Sequence, residues 1–179
     1  MGDLRDSASS RYVTPQDGDA WASDAAAQGK VGTQRLLDVQ TLVPPDDVQA
    51  ALELAPGEQA VVRRRLINAD GEPVELADPY YPASIAAGTA LAEARKIKGG
   101  AVRVLAEAGY RAAEVDDIVS ARQPDADEAD LLKIGATEPI IVLARVSRSA
   151  QGRPIEFALN RMVASRTAPL SYRMRADAQ

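Results

Sequence analysis

The chain has 179 residues, a length typical of one domain with a short extension. It contains neither Cys nor His, which excludes disulfides, Cys nucleophiles, His general bases and the common zinc sites. Its formal net charge is −5, and an acidic chain is poorly suited to holding a phosphate backbone by itself. The start lacks the apolar core of a signal peptide, and no apolar run is long enough to span a bilayer. We therefore expect a cytoplasmic protein without membrane contact.

The first half of the chain predicts helices and strands separated by Pro and Gly. Residues 1–19 are polar and predict a linker, so the domain is expected at residues 20–179. Apolar periodicity predicts a helix over 19–28, a strand over 33–43, a helix from 46 or 47 to 54, and two strands over 59–68 and 73–81. The expected helix caps are Asp19 and one of Asp46 and Asp47. Asp70–Gly71 between the last two strands is a strong hairpin signal.

The second half predicts a similar series after a loose segment with short turns through Ile97. Gly99–Gly100 opens a helix that Gly109 stops, and Gln151–Gly152 makes a second hairpin turn. The remaining elements are a strand over 114–123, a helix over 126–134 capped by Asp125, and strands over 139–147 and 153–163. One unit is thus used twice: short helix, strand, turn, strand. This pattern predicts an α+β domain with a mainly antiparallel sheet and flanking helices.

Four stretches in this order resemble the ligand-binding UTRA domain of HutC-type regulators in the GntR family. They are Val61–Leu66 with Ala69–Val74 and Tyr80–Ala83; Leu105–Tyr110; Ser120–Pro124 with Asp127–Ala129 and Leu131–Leu132; and Pro139–Val142 with Arg145 and Gly152–Glu156. The resemblance covers about Trp21 to Tyr172. It implies a chorismate-lyase-like fold with a buried ligand cleft and a homodimer formed largely by this domain.

The resemblance also implies a winged helix that reads operator DNA, as in a repressor. Residues 1–30 show no helix-turn-helix pattern, so the winged helix is expected upstream of Met1. The chain is then either a segment cut from a longer regulator or a standalone copy of the domain. In a regulator, an effector would act by binding two conformations of the dimer with different affinity.

The main ligand contacts implied by the resemblance are Arg65 and Glu156. Arg65 would reach into the cleft and grip an anionic part of the effector, because a guanidinium offers a rigid fork to a carboxylate or phosphate. Glu156 would face the same ligand. The alternatives are a structural ion pair for Arg65 and an exposed strand carboxylate for Glu156. A direct pair between the two in the empty protein is compatible with either role.

Five further residues complete the expected contacts: Ser120, Arg122, Trp21, Gly100 and Tyr80. Ser120 and Arg122 alternate onto one face of their strand, although Arg122 has the alternative of anchoring the strand's end. The N–H groups at the helix start at Gly100 suit an anion, the alternative being a flexible loop. Trp21 would stack over the ligand, and its alternatives are packing in the core or covering the dimer interface. Tyr80 lies at the end of the first hairpin, in one of the stretches that resemble the family.

Two departures from the family pattern bear on the effector. Amino-sugar-phosphate sensors of the family carry Ser and Glu near the positions of Ala22 and Ala77. Because the hydroxyl and carboxylate are missing here, a small organic anion or secondary metabolite is the expected effector. No cofactor or metal is expected.

Two other functions remain open. Chorismate lyase shares the fold class, so a standalone enzyme would use Arg65 as a substrate clamp and Glu156 as an acid. A dimerisation domain without any ligand is a third hypothesis. The motif matches favour the regulator over the enzyme, and fold analogy alone is a weak warrant for catalysis.

Overall fold

The computed structural model describes residues 6–7 and 20–173. Apart from Asp6 and Ser7, the expected linker lies outside these residues, as does the expected cap Asp19. The helices are α1 (Ala20–Ala27), α2 (Asp46–Ala51), α3 (Ala83–Ala86), α4 (Gly100–Glu107) and α5 (Ala126–Leu132). The strands are β1 (Asp6–Ser7), β2 (Gly32–Leu42), β3 (Ala60–Ala69), β4 (Glu72–Pro82), β5 (Glu114–Arg122), β6 (Ile140–Arg148), β7 (Pro154–Val163) and β8 (Tyr172–Arg173).

The central element is a six-stranded sheet in the order β2-β3-β4-β7-β6-β5. Every neighbouring pair in it is antiparallel, and β1 and β8 form a separate antiparallel pair. The expected α+β class with a mainly antiparallel sheet is confirmed. The first hairpin turns at Asp70 and Gly71, whose positive φ angles of 50° and 83° match the two-residue turns that suit twisted strands.

The repeated unit predicted from the sequence is present and is longer than predicted. The order α1-β2-α2-β3-β4 recurs as α4-β5-α5-β6-β7. The two halves meet at β4 and β7, so the strand order reads the same from either edge and the halves are related by an approximate twofold axis normal to the sheet. The equivalence shows in the sequence, because Gly71, Pro73 and Glu75 have the same spacing as Gly152, Pro154 and Glu156.

The sheet has two differently covered faces. On the face here called the front, α3, α4 and a 3-10 turn (Ala90–Ala92) pack on Val61 and Tyr81, and α1 packs near the first hairpin. On the opposite face, the back, α2 packs on Ala60 and Phe157, and α5 packs on Leu66. Because a strand alternates its side chains between faces, each strand contributes to both cores.

The structure corrects two of the predicted helix ends. Extended Pro45 precedes α2 with no side-chain cap, so Asp46 and Asp47 lie in the first turn instead of capping it. There their charges still favour the positive end of the helix dipole. Helix α5 ends at Leu132, before the predicted 134, because Lys133 adopts a left-handed conformation with φ 53°. The predicted cap of α5 is confirmed: Asp125 and Glu128 form a reciprocal capping box.

The back face holds a buried set of charges that are paired with one another. Arg161 lies 2.5 Å from Asp78, which also pairs with Arg64 at 3.3 Å. Arg161 is also 3.7 Å from Glu128, which takes two hydrogen bonds of 2.6 and 2.7 Å from Arg122. This network joins α5 to the sheet, and its ion pairs offset part of the cost of burying the charges, although Asp78 Oδ1 and two nitrogens of Arg161 have no hydrogen-bond partner in the described region.

Candidate functional site

The strand register shows which side chains share the front face. Residues directly opposite each other on neighbouring strands point to the same side of a sheet. Arg65 lies opposite Ala77, which lies opposite Asn160. Glu75 and Glu156 are an even number of positions from this row, so both carboxylates also belong to the front face. The structure therefore brings Arg65 and Glu156 onto one surface, as expected.

Arg65 is a half-buried cation without a carboxylate partner among the described residues. Its Nη1 donates to the side-chain oxygen of Gln34 over 2.9 Å. Its Nε is buried and has no hydrogen-bond partner. A buried donor without a partner costs free energy, and an anionic ligand would supply the missing acceptor.

Glu156 is held by a tyrosine and not by Arg65. The hydroxyl of Tyr81 donates to Glu156 Oε1 over 3.0 Å, and Tyr81 itself is 1% exposed. Burial raises the pKa of Glu156, partly opposed by the Tyr81 hydroxyl and by the charge of Arg65. Burial, followed by the charge of Glu156, raises the pKa of Tyr81 well above its usual value. The direct Arg65–Glu156 pair considered from the sequence is not formed in this structure.

Glu75 is a second front-face carboxylate, which the sequence reasoning missed. It lies deep in the protein, where desolvation raises the pKa of its carboxyl to about 7. Arg65 and Arg145 oppose this rise, but no ion pair or hydrogen bond to Glu75 is formed within the described ranges. Its side chain nevertheless retains some accessible surface. That combination is expected of a carboxylate that lines a cleft.

Two other arginines on the front face already have hydrogen-bond partners within the protein. Arg63 is 4% exposed and donates to the backbone carbonyls of Leu91, Glu93 and Arg95 over 2.7 to 2.8 Å. It thereby fixes the segment after α3 to the sheet. Arg145 makes two hydrogen bonds of 2.6 and 2.7 Å to Asp117 on the neighbouring strand. Arg65 is the arginine of this group that is left for a ligand.

Trp21 lies on the front face beside the first hairpin. It packs against the cluster of Ile67, Ala69, Val74 and Ala77, and its indole N–H donates to the carbonyl of Asn68 over 2.9 Å. One member of this cluster, Ala77, lies directly opposite Arg65. The core-packing alternative is therefore realised, and the ligand contact of Trp21 stays a prediction.

Ser120 and Arg122 are not brought together with Arg65. The strand register places Val119 in the row of Arg65, so Ser120 and Arg122 point to the back. Both are exposed, and Arg122 holds Glu128 of the α5 capping box. This is the strand-anchoring alternative considered for Arg122.

Tyr80 and Gly100 also lie away from the Arg65 row. Tyr80 points to the back, where its ring is 6.4 Å from that of Phe157. Its neighbour Tyr81 is the front-face tyrosine. Strand alternation from Arg65 across the hairpin is the signal that would have selected Tyr81 and Glu75. Gly100 is exposed at the start of α4, with its N–H donating to the Ile97 carbonyl.

Two kinds of site are not found in the described part of the chain. It contains no group of acidic side chains arranged to hold a metal ion. None of its helices is long and apolar enough to cross a membrane.

Comparison with known proteins identifies relatives along most of the chain. The model of the UTRA domain matches residues 27–168. The HTH-type transcriptional regulator SCO4628 of Streptomyces coelicolor is 30% identical over 151 residues, covering 80% of this chain and 56% of the relative. The HTH-type transcriptional regulator RB1450 of Rhizobium meliloti is 29% identical over 139 residues, covering 76% and 55%. The chain thus spans about half the length of the curated relatives it matches.

Solved structures agree with this result. The effector domain of PhnF from Mycobacterium smegmatis has a TM-score of 0.72 and 25% identity, covering 82% of this chain and 89% of that one. The C-terminal domain of the histidine utilization repressor from Pseudomonas syringae pv. tomato has a TM-score of 0.67 and 20% identity, covering 83% and 99%. The second likeness concerns the fold alone.

Proposed function

The chain belongs to the UTRA domain family, and from this premise we propose that it binds a small-molecule effector on the front face and transmits that binding to DNA-reading helices of a transcription regulator. Its relatives are transcriptional regulators, which supports a regulatory role over the enzyme alternative. Binding without chemistry requires no catalytic residue.

The observation that carries this proposal is the difference in charge pairing between the two faces. On the back, Arg64, Arg122 and Arg161 lie close to carboxylates. On the front, Arg65 and Glu75 have no ion pair within the described part of the chain. Leaving such groups partly buried and unpaired is costly, and an effector with complementary charges removes that cost.

The proposed mechanism depends on the elements that cover the front face. Arg65 lies in the central sheet, whereas α1 and the segment held by Arg63 cover the front face. A ligand that contacts both the sheet and its cover stabilises one arrangement of these layers over others. It shifts the protein's conformational balance only to the extent that it binds the two states differently.

The assembly and location form part of the same proposal. We expect a homodimer, since a symmetric pair of effector domains would set the spacing of two DNA-reading heads. DNA contact is assigned to the part of the regulator outside this domain, because the chain's net charge of −5 is unfavourable near phosphates. A regulator of this kind works in the cytoplasm.

A ligand screen tests the proposal directly. Thermal unfolding of the purified chain is followed with organic anions, zwitterions, sugar phosphates and secondary metabolites, and each ligand is analysed for conversion. A ligand at a hundredfold excess over its Kd stabilises the fold by about 2.7 kcal/mol. Recovery of the ligand unchanged is the expected result, and its consumption would point to the enzyme instead.

Variants locate the binding site. Arg65→Gln and Glu156→Gln should weaken binding about tenfold or more, because each removes a charge-assisted contact. Arg64→Gln is the matched control, since Arg64 is the next residue on the same strand but points to the back. If both front-face variants bind as tightly as the control, the site lies elsewhere.

A further inference from the structure

The front face carries one arrangement of charges twice. On β3 and β4, Glu75 lies two residues from the position opposite Arg65. On β6 and β7, Glu156 lies two residues from the position opposite Arg145. The twofold relation between the halves of the sheet makes Arg65 and Glu75 the counterparts of Arg145 and Glu156.

The second copy is satisfied within the protein. Arg145 is bound by Asp117, the residue opposite it on the edge strand β5, through two hydrogen bonds. Glu156 accepts a hydrogen bond from Tyr81 across the centre of the sheet. Both members of this Arg–Glu set therefore have a partner of suitable chemistry.

The first copy has lost both partners. The residue opposite Arg65 on the edge strand β2 is Leu36, which has no side-chain acceptor and occupies the place that Asp117 has in the other half. The residue opposite Glu75 is Met162, which has no donor and occupies the place of Tyr81. Arg65 binds only the neutral side chain of Gln34 in the described region, and Glu75 has no hydrogen bond there.

Arg65 and Glu75 are diagonal neighbours on the front face that do not pair with each other. Diagonal neighbours on antiparallel strands are about 7–8 Å apart at the backbone, and no ion pair within 4.0 Å joins Arg65 to Glu75. Trp21 packs against the cluster of Ile67, Ala69, Val74 and Ala77, which includes the residues directly opposite Glu75 and Arg65. An aromatic ring beside a carboxylate favours an organic cation.

We propose that Arg65 and Glu75 bind the two ends of a small zwitterionic effector, Arg65 its anionic group and Glu75 its protonated amine. This inference rests on the proposed function and narrows the effector class, since Glu75 selects for an amine that a plain organic anion lacks. In the counterpart set, Asp117 pairs with Arg145 and the Tyr81 hydroxyl occupies Glu156, so we assign selection for the amine to Glu75.

Matched ligand pairs test the inference. The probes are 4-aminobutanoate, 5-aminopentanoate and 6-aminohexanoate, each compared with the same carboxylate lacking the amine. Titration calorimetry is performed at pH 8, where Glu75 is ionised. At least one amino acid should bind about tenfold more tightly than its amine-free partner, the ratio expected from one charge-assisted hydrogen bond.

Variants assign the preference to Glu75. E75Q should abolish the preference for the amine, and it should bind the amine-free carboxylate at least as tightly as the parent does because it removes a negative charge near the anion; Arg65→Gln should weaken binding of both. E72Q is the control, because Glu72 is an exposed carboxylate on the same strand. The inference is overturned if E75Q keeps the preference, if both members of every pair bind equally, or if no probe binds. In each case the broad ligand screen still decides whether the domain binds an effector at all.

Discussion

At the scale of single residues, the meaning of a charge depends on the face to which it points. Arg63, Arg64 and Arg65 are consecutive in sequence, yet they have three different surroundings. Arg63 is buried among backbone carbonyls, Arg64 pairs with Asp78 on the back, and Arg65 lies on the front with only the neutral side chain of Gln34 as a partner in the described region. Strand alternation separates the middle residue from the other two, and only the packing of the segment after α3 separates Arg63 from Arg65.

Glu75 makes the stability of the protein depend on pH. Its pKa of about 7 in the folded state exceeds the ordinary 4.5, so its contribution to stability is fully present below pH 4.5 and is lost as the pH rises through 7. E75Q should therefore be more stable than the parent at pH 8 by about 3 kcal/mol or less, from 1.4 kcal/mol per pKa unit.

Urea denaturation at pH 5 and pH 8 measures this difference, which should be much smaller at pH 5. Glu156, whose pKa is also raised, contributes in the same direction in both proteins. The difference in stability between E72Q and the parent should be the same at both pH values. An equal difference between E75Q and the parent at both pH values would mean that Glu75 is not buried as described.

Arg63 is expected to stabilise the fold and not to select the ligand. Arg63→Met would leave the carbonyls of Leu91, Glu93 and Arg95 without their donor, costing about 3 kcal/mol or more in the free energy of unfolding. Arg64→Met should cost about 1 kcal/mol or less, because its side chain is 43% exposed. Equal losses in urea denaturation would contradict the difference in their surroundings.

At the scale of elements, α1 is positioned by a close approach to the start of β2. A Cβ atom added at Gly32 would lie 2.7 Å from the Ala25 side chain and 2.8 Å from the Trp21 indole nitrogen. No side chain larger than hydrogen fits there without moving the helix. The position of Trp21 beside the first hairpin thus depends on a glycine in the following strand.

Gly32→Ala should displace α1 and cost about 1–3 kcal/mol through overpacking. Trp21 is the single tryptophan of the chain, so its fluorescence reports on α1 directly. We expect a shift of the emission maximum to longer wavelength as the indole becomes more hydrated. Gly135→Ala is the matched control, because a Cβ atom there meets nothing within 4 Å. Identical spectra for both variants would show that α1 tolerates the added methyl group.

At the scale of the whole molecule, we assign different roles to the two faces of the sheet: the back stabilises the fold and the front binds the ligand. Helices α2 and α5 cover the back, where charges are paired, whereas the front keeps unpaired charges beside α1. The twofold arrangement explains how both kinds of pairing arose within one sheet. The Arg145–Glu156 set has partners in Asp117 and Tyr81, and the Arg65–Glu75 set lacks their equivalents.

A variant on the back face should therefore lower the stability of the fold without changing its affinity for the ligand. Glu128→Ala removes the capping box and the partner of Arg122, at a cost of about 2–4 kcal/mol at pH 7. The Arg122 side chain lowers the pKa of Glu128, so this contribution is present above pH 4.5 and is lost as the pH falls through the lowered pKa. Calorimetry below the melting temperature should give the parent's Kd for any effector found, and a weakened Kd would show that the faces are coupled.

The sequence by itself determined the elements, their order and the family. Turn residues such as Asp70–Gly71, the cap Asp125 and the apolar periods are local signals, because hairpins and capped helices are specified by neighbours a few positions apart. The duplicated unit was also readable from spacing, whereas the resemblance selected Arg65 and Glu156, whose ligand contacts stay a prediction.

Only the tertiary structure decided which of the polar residues share a surface. Ser120, Arg122 and Tyr80 matched the family pattern in sequence, yet the register turns them to the back, where Arg122 holds α5. Glu75 appeared to be an ordinary hairpin residue until its buried position and its unsuited neighbour Met162 were visible. The physical reason is that pairing across a sheet joins residues far apart in sequence, and a shift of one position exchanges the faces.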